Sequence, residues 1–310
     1  MTDKTPPAIL VENLTKVYNS SGSSKSALNN ITLSIPKGSI FALLGPNGAG
    51  KSTLINILSG TVIKTSGKAY INGIDIDLSP QSAKYEIGIV PQEITLDTFF
   101  PVKKALEIYA GYYGIRPEHR RTDEILEALG LIDKANAMPR NLSGGMKRRF
   151  LVAKSMVHSP GILVLDEPTA GVDIELRDQL WDYVKYLNNQ GTTIILTTHY
   201  LAEAEALCDR VAFINHGNIV LEDKKVNLMQ NLGTKQLILE LTSLASKTVD
   251  LPKGVEIMSA IDNKLVVKFD DQTSNITSII SHLGKHGVNV QNLTIDQPDF
   301  EDIFKKVMAG

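Results

Sequence analysis

The residues with the clearest chemical potential stand between positions 45 and 53, directly after the apolar run at 40–44. They read Gly-Pro-Asn-Gly-Ala-Gly-Lys-Ser-Thr, in which two glycines enclose four residues and precede Lys-Ser, the pattern of a phosphate-binding loop between a strand and a helix. Backbone N–H groups of such a loop surround phosphate oxygens, Lys51 supplies charge for the β- and γ-phosphates, and the Ser52 hydroxyl suits Mg²⁺. The sequence therefore predicts a nucleoside triphosphate site made by Gly45, Pro46, Asn47, Gly48, Ala49, Gly50, Lys51, Ser52 and Thr53.

Two adjacent carboxylates end a second apolar run, at 162–165. Successive residues of a strand point to opposite faces, so Asp166 and Glu167 are expected to have different roles. Asp166 is placed to hold the coordination sphere of Mg²⁺ through water. Glu167 is placed to face a water opposite the γ-phosphate, as a general base. Solvated acids at a strand end are the alternative, and the phosphate-binding loop makes it the weaker one.

A third motif, at 141–149, reads Asn-Leu-Ser-Gly-Gly-Met-Lys-Arg-Arg. Ser143 is a good N-cap for a following helix, and Gly144 and Gly145 let an anion approach the backbone. The three cations at 147–149 disfavour an isolated helix by about 0.3–1 kcal/mol each, and an incoming phosphate would reverse that effect. Because Lys51 already accounts for one nucleotide, we predict that this helix faces a second nucleotide held by another subunit. A surface helix with solvated cations is the alternative.

An α/β core is needed to position these motifs. The runs at 162–165 and 193–197 are continuously apolar and predict parallel strands covered on both faces. The segment between them carries an apolar helical stripe and completes a β-α-β unit. Gln92 and His199 each follow a predicted strand. Either residue alone is more often structural, and their order relative to the other motifs makes them candidate site residues.

The remaining segments indicate smaller parts around this core. Short alternating runs indicate a β-rich region at the start of the chain, and residues 19–26 predict a flexible polar loop with no visible chemistry. Residues 102–130 have helical periodicity. Beyond 232 the pattern changes, which predicts one domain over 1–232 and a small α+β accessory domain over 233–310. The predicted elements of the second domain are strands at 236–241, 264–269 and 288–295 and helices at 273–286 and 298–308.

Composition limits the classes of partner. The chain has 310 residues, 43% hydrophobic content and a net charge of −2, so a large core is possible and bulk positive charge for nucleic acid is absent. The single cysteine, Cys208, follows Ala206 and Leu207 and is expected to be a core residue in a reducing compartment. No apolar stretch approaches the ~18 residues of a membrane span, and the first residues lack a signal-peptide core. We expect a cytosolic chain unless another protein carries it to a membrane.

Together these motifs closely resemble those of the nucleotide-binding subunit of ATP-binding cassette (ABC) transporters, from about residue 9 to 222. The resemblance implies an ABC-ATPase core of the P-loop NTPase class, with an antiparallel β subdomain and a helical subdomain. It also implies ATP and Mg²⁺ as ligands, with Tyr18 stacking on adenine and Gln92 sensing Mg²⁺ and coupling to the membrane subunit. It implies that His199 contacts the γ-phosphate and that Asp173 lies in a segment facing the partner subunit. Met146 departs from the usual glutamine, which affects a side-chain contact to the partner's nucleotide and not the phosphate contacts.

The string Leu-Ser-Gly-Gly-Met-Lys-Arg-Arg at 142–149, of which 142–145 are the signature residues, resembles bacterial exporter ATPases whose membrane permease is a separate polypeptide, as does the C-terminal extension. This implies a homodimer around two shared ATP sites, peripheral on the cytoplasmic face of the inner (plasma) membrane and without a nucleic-acid partner. A soluble ABC ATPase acting on ribosomes or nucleic acid is the alternative, but such proteins usually carry two cassettes or a long coiled coil. A G-protein-like switch is disfavoured because no Asn-Lys-x-Asp segment is present.

The segment at 93–102 lies between Gln92 and the helical region. In the resembled family this neighbourhood receives a short cytoplasmic helix of the membrane subunit. An apolar patch beside a phosphate sensor would couple nucleotide state to a docked helix. Packing of Phe99 and Phe100 inside the helical region is an equally weighted alternative.

Overall fold

A computed structural model describes residues 6–20, 23–96, 98–169, 174–198, 200–232, 235–242, 251–252, 254–261, 263–269, 275–286, 288–296 and 300–309. Two compact units divide the chain, Met1–Lys225 and Val226–Gly310. The sequence predicts the domain boundary between 232 and 233, after the helix Lys225–Leu232. The structure divides the chain at the start of that helix instead.

In the first unit, strands alternate with helices through most of the chain. The strands are β1 (Ile9–Ser20), β2 (Ser23–Ile35), β3 (Ile40–Leu44), β4 (Ser66–Ile71), β5 (Ile74–Asp75), β6 (Ile87–Val90), β7 (Ile162–Asp166), β8 (Thr193–Thr198), β9 (Arg210–Asn215) and β10 (Asn218–Lys224). The α-helices are α1 (Lys51–Leu58), α2 (Pro80–Tyr85), α3 (Val102–Tyr112), α4 (Thr122–Ala128), α5 (Gly144–Met156), α6 (Ile174–Asn189) and α7 (Leu201–Leu207).

A six-stranded sheet of order β10-β9-β3-β8-β7-β6 forms the core of this unit. All neighbouring pairs are parallel except β10 with β9. Every residue of β3, β7 and β8 is buried, as continuous apolar strands covered on both faces require. Since the carboxyl ends of β3, β6, β7 and β8 meet at one edge, the motifs that follow them converge there.

A second, antiparallel sheet of order β2-β1-β4-β5 packs its apolar side chains into the same core cluster. The flexible loop expected at 19–26 is wrong for the described residues, because β1 and β2 form a long hairpin. Across it Tyr18 pairs with Lys25 and Asn19 with Ser24. Backbone ladder bonds stabilise these polar residues as strands despite their low strand propensity.

The helical region expected at 102–130 is present as α3 and α4 and leads through short 3-10 turns into α5. Phe99 and Phe100, which precede α3, are not packed inside it. Their side chains are 83% and 41% exposed, so the alternative of interior packing is wrong.

The second unit is an α+β sandwich with strand order β12-β13-β11-β14. Its elements are α8 (Lys225–Leu232), β11 (Lys235–Leu241), β12 (Val255–Ile261), β13 (Lys264–Phe269), α9 (Ile276–Lys285), β14 (Val290–Asp296) and α10 (Phe300–Ala309). Leucines of β11 pack with Ile279 and Leu283 of α9 in its core. β12 was not predicted from the sequence, and it is an edge strand with mostly exposed side chains.

Cys208 is 1% exposed, and burial raises the pKa of its thiol, as expected for a core residue. In the described part of the chain, no helix is both long enough and apolar enough to cross a membrane.

Candidate nucleotide-binding site

The phosphate-binding loop connects β3 to α1 as the sequence predicts. Gly50 caps α1 with a φ of 116°, and a Cβ atom there would lie 2.7 Å from the carbonyl oxygen of Ala27. Both the left-handed backbone and the close approach require glycine. The Lys51 ammonium donates to the carbonyl oxygens of Gly45, at 2.7 Å, and Pro46, at 3.1 Å, and so closes the loop on itself.

Burial and nearby charges act in opposite directions on the pKa of Lys51. Its side chain is 5% exposed, and burial lowers its pKa, while the nearby carboxylates of Glu167 and Asp166 act in the opposite direction. The lysine charge thus lies within the field of both acids predicted for catalysis and metal binding. A polyphosphate at the loop would add a further favourable charge partner.

A cleft of about 430 Å³ opens beside the loop. Nine residues predicted from the sequence line it: Tyr18, Asn47, Gly48, Gly50, Lys51, Ser52, Thr53, Gln92 and Glu167. Gly45, Pro46 and Ala49 belong to the loop without lining the cleft. The volume suits a bound nucleotide, for which pockets of about 300–1,000 Å³ are usual for ligands of this size.

Lys25 and Ala27 also line the cleft, and sequence reasoning missed both. The β1–β2 hairpin places Lys25 directly opposite Tyr18, so recognition of the hairpin would have found it. Tyr18 is 42% exposed, and the Lys16 ammonium lies 4.7 Å from its ring centroid. A half-exposed aromatic at the mouth of the cleft can stack on a base.

Glu167 and Gln92 both line the cleft and contact each other: the Gln92 amide donates to a Glu167 carboxylate oxygen at 2.9 Å. Glu167 has a φ of 45°, and its N–H donates to the backbone oxygen of Thr197 at 3.0 Å. β7 ends at Asp166, whose carboxylate accepts the Thr197 hydroxyl. The two acids have different partners, as predicted. Glu167 lies beyond the end of β7 in a left-handed conformation, so the alternation of side chains along a strand is not the only reason.

Arg148 and Arg149 already have hydrogen-bond acceptors within this chain. Arg148 is 2% exposed, and its guanidinium donates to five backbone carbonyls of this chain, those of Pro91, Gln92, Asp166, Glu167 and Pro168. Arg149 is buried and donates to the Leu129 carbonyl at 2.7 Å. Two of the three cations attributed to an incoming phosphate are therefore bound internally, and Lys147 is the half-buried third. Burial lowers the pKa of Arg148, while Asp166 and Glu167 favour its charge.

The signature residues stand apart from the cleft. The Ser143 hydroxyl accepts the N–H of Met146 at 3.3 Å, which confirms the predicted N-cap of α5. Ser143 and Gly144 are exposed, Gly145 is buried, and none of the three lines the cleft around Lys51. His199 and Asp173 lie outside the described residues.

The oxygen donors fit a small divalent cation held together with phosphates. Ser52 and Gln92 line the cleft, and Asp166 lies beside it at the end of β7. In the described part of the chain, no cluster of three His, Cys, Asp or Glu residues could hold a metal on its own. Mg²⁺ is bound in such a setting by one or two protein oxygens plus substrate phosphates and waters, rather than by a protein cage.

Comparison with known proteins defines the class. The family model for the ABC transporter matches residues 28–170. The linearmycin resistance ATP-binding protein LnrL of Bacillus subtilis is 34% identical over 301 residues, covering 94% of this chain and 96% of that protein. The daunorubicin/doxorubicin resistance ATP-binding protein DrrA of Streptomyces peucetius is 33% identical, covering 96% of this chain and 91% of that protein. A Nod factor export ATP-binding protein I of Rhizobium sp. is 40% identical over 200 residues, covering 64% of this chain and 66% of that protein.

Solved structures agree with this assignment. An ATP-binding subunit of an ABC transporter superposes with a TM-score of 0.66 at 25% identity, covering 73% of this chain and 93% of that one. A dimeric ATP-binding cassette in a post-hydrolysis state, bound to ADP and Pi, superposes with a TM-score of 0.64 at 27% identity, covering 70% of this chain and 98% of that one. The chain belongs to the ABC transporter family, and it is an ATP-binding subunit that hydrolyses ATP. The expected fold class, an ABC-ATPase core with antiparallel and helical subdomains and a small α+β addition, is confirmed.

Proposed function

We propose that this subunit powers export of a small compound through a separately encoded membrane permease. The observation that carries the proposal is the similarity along nearly the whole chain to ATP-binding proteins named for drug resistance, supported by those named for Nod factor export. These names favour export over the alternative of a soluble ATPase acting on ribosomes or nucleic acid. A subunit of this kind works peripherally on the cytoplasmic face of the plasma membrane, held there by the permease.

In the proposed reaction, the loop N–H groups and Lys51 hold the β- and γ-phosphates while Tyr18 stacks on adenine. Ser52, Asp166 and Gln92 are the residues that hold Mg²⁺, which when bound neutralises phosphate charge. Glu167 accepts a proton from the attacking water, and the Gln92 amide, 2.9 Å away, orients the carboxylate. His199 contacts the γ-phosphate.

A homodimer with two shared ATP sites accounts for the exposed signature residues. Ser143 and Gly144 face solvent at the start of α5 and do not reach the cleft of their own chain. A head-to-tail pair would bring them, with Gly145, to the nucleotide on the partner's Lys51, under two-fold symmetry. The dimeric cassette bound to ADP and Pi supports this arrangement by similarity.

The permease docks, in this proposal, on an aromatic groove of about 440 Å³ beside Gln92. Its lining includes Pro91, Thr95, Tyr109, Tyr113 and Lys154. Tyr113 stacks on His158 with ring centroids 3.8 Å apart, and the Lys154 ammonium lies 3.9 Å from the Tyr109 centroid. Together with the exposed Phe99, these rings suit an amphipathic helix of the permease.

The proposal is tested by isolating the chain with its membrane partner. Affinity-tagged protein expressed in its own host should co-purify with a multi-span membrane protein, and inside-out vesicles containing both should accumulate the cargo only with ATP. A Glu167→Gln chain in the same vesicles is the control for hydrolysis. Co-purification with ribosomes instead, and no membrane partner, would favour the soluble alternative.

A further inference from the structure

A buried carboxylate in α7 takes no part in the cleft or in phosphate binding. Glu203 is 5% exposed and does not line the cleft. One of its oxygens accepts the hydroxyl of Thr169, and the other accepts the hydroxyl of Thr198 at 2.9 Å. The two threonines are 6% and 1% exposed, so the whole contact is shielded from water. Glu203 therefore joins two segments that are far apart in sequence.

Both segments adjoin residues of the proposed reaction. Thr169 lies two residues after Glu167, beyond Pro168, and Thr198 is the last residue of β8, directly before His199. The Thr198 hydroxyl also accepts the N–H of Tyr200 at 2.9 Å, so that residues 198 and 200 are joined by a hydrogen bond. The Glu203 carboxylate thus links the segment that follows Glu167 to the residue that precedes His199.

Thr197, the residue before Thr198 in β8, makes a similar connection. The Thr197 hydroxyl donates to Asp166, and the N–H of Glu167 donates to the Thr197 backbone oxygen. Glu203 makes a second connection of this kind, from α7. A buried carboxylate is costly unless its hydrogen bonds are made, and its bonds are directional and stronger than neutral ones. An apolar residue would fill the space without fixing the two segments.

From these contacts we infer that Glu203 is a positioning residue for ATP hydrolysis. It acts through Thr169 and Thr198 on the relative placement of Glu167 and His199, without touching nucleotide. The inference rests on the roles proposed for Glu167 and His199 and is independent of the permease. Loss of this placement is expected to slow the chemical step and to leave ground-state ATP binding almost unchanged.

The test compares Glu203→Ala, Glu203→Gln and the control Glu205→Ala in the full-length ATPase. Glu205 lies on the same helix, half-exposed, and its backbone oxygen, not its side chain, accepts the Lys225 ammonium. Glu203→Ala should lower kcat by roughly 10- to 100-fold with KM for ATP within about two-fold. Glu203→Gln should recover part of the rate, because its amide oxygen accepts one hydroxyl and its amide nitrogen donates to the other. Glu205→Ala should match the unmodified chain.

Two threonine variants keep the test decisive if Glu203→Ala folds poorly. Thr169→Val and Thr198→Val each remove one hydroxyl with little change of shape, and each should lower kcat without raising KM. Adding Thr169→Val to Glu203→Ala should cause little further loss, since residues that act as one unit are not additive. A kcat within two-fold of normal for Glu203→Ala, or fully additive losses, would overturn the inference. Normal turnover in Glu167→Gln would instead overturn the role of Glu167 itself.

Discussion

At the scale of single residues, the cleft depends on two backbone positions that most side chains avoid. Gly50 is the N-cap of α1 with a φ of 116°, and Glu167 follows β7 with a φ of 45°. A non-glycine residue in the left-handed region stores strain and is concentrated at functional sites. At Glu167 this backbone conformation accompanies a hydrogen bond from the Gln92 amide to the carboxylate, at 2.9 Å.

The Glu167→Gln variant should bind ATP and hydrolyse it very slowly. Removal of a general base typically costs 10²–10⁴ in rate, while the phosphate contacts of the loop and Lys51 are unchanged. Single-turnover hydrolysis together with nucleotide-binding titration separates the two effects. Near-normal turnover would exclude Glu167 as the base.

Lys51→Ala is the matched variant for the binding step. It removes the charge that lies at the phosphate-binding loop, so the affinity for ATP itself should fall. The same titration that shows normal binding for Glu167→Gln should show weakened binding here. Equal ATP affinities for Lys51→Ala and the unmodified chain would contradict the predicted role of the loop lysine.

At the scale of elements, Arg148 connects α5 to the ends of β6 and β7. Its five carbonyl acceptors lie at 91–92 and 166–168, so one buried side chain ties the signature helix to both strand ends of the cleft. A shift of α5 would be transmitted to Gln92 and Glu167 through these bonds.

Arg148→Met should destabilise the protein because it leaves buried carbonyls without donors. Each unsatisfied buried group costs about 1–3 kcal/mol, so the free energy of unfolding should fall by roughly 3 kcal/mol or more. Urea denaturation of the full chain measures the change. Lys147→Met, on the same helix and half-buried, is the control and should change stability by less than about 0.5 kcal/mol. Equal effects of the two variants would contradict the internal role of Arg148.

The elements that sequence reasoning found are those with an unambiguous pattern. β7 and β8 are uninterrupted apolar runs, and the phosphate-binding loop has a fixed spacing. The β1–β2 hairpin was missed because Ser, Asn and Lys lack strand propensity and the pairing is tertiary information. The role of Arg148 was misassigned for the same kind of reason, since helix electrostatics alone do not reveal carbonyls contributed by distant segments.

The groove beside Gln92 leads to a prediction for transport. Phe99→Asp should abolish or strongly reduce export while ATPase activity and folding remain largely intact, because in the proposed docking the exposed ring contacts the permease and not the nucleotide. ATP hydrolysis and cargo accumulation are measured in the same vesicles. Ile63→Asp, at another side chain that is 84% exposed, is the control. Unchanged complex assembly and transport in Phe99→Asp would rule out this docking site.

At the scale of the whole molecule, each chain carries two separate surfaces, and each surface is one half of a proposed ATP site. The cleft contains the phosphate-binding loop, Gln92 and Glu167, whereas Ser143 and Gly144 are exposed elsewhere on the first unit. A two-fold dimer uses the same patches on both subunits and would complete two sites at once. We therefore propose that ATP is hydrolysed at sites shared between two copies of this chain.

The most direct test mixes Lys51→Ala chains with Ser143→Arg chains and measures steady-state ATPase activity. Neither homodimer has a complete shared site, so each alone should be nearly inactive. A mixed dimer has one complete site, since the intact loop of one chain faces the intact signature of the other. Because half of the dimers are mixed and each has one of two sites, the mixture should recover up to about a quarter of normal activity. Full activity in the Ser143→Arg homodimer, or a mixture no more active than its separate components, would contradict shared sites.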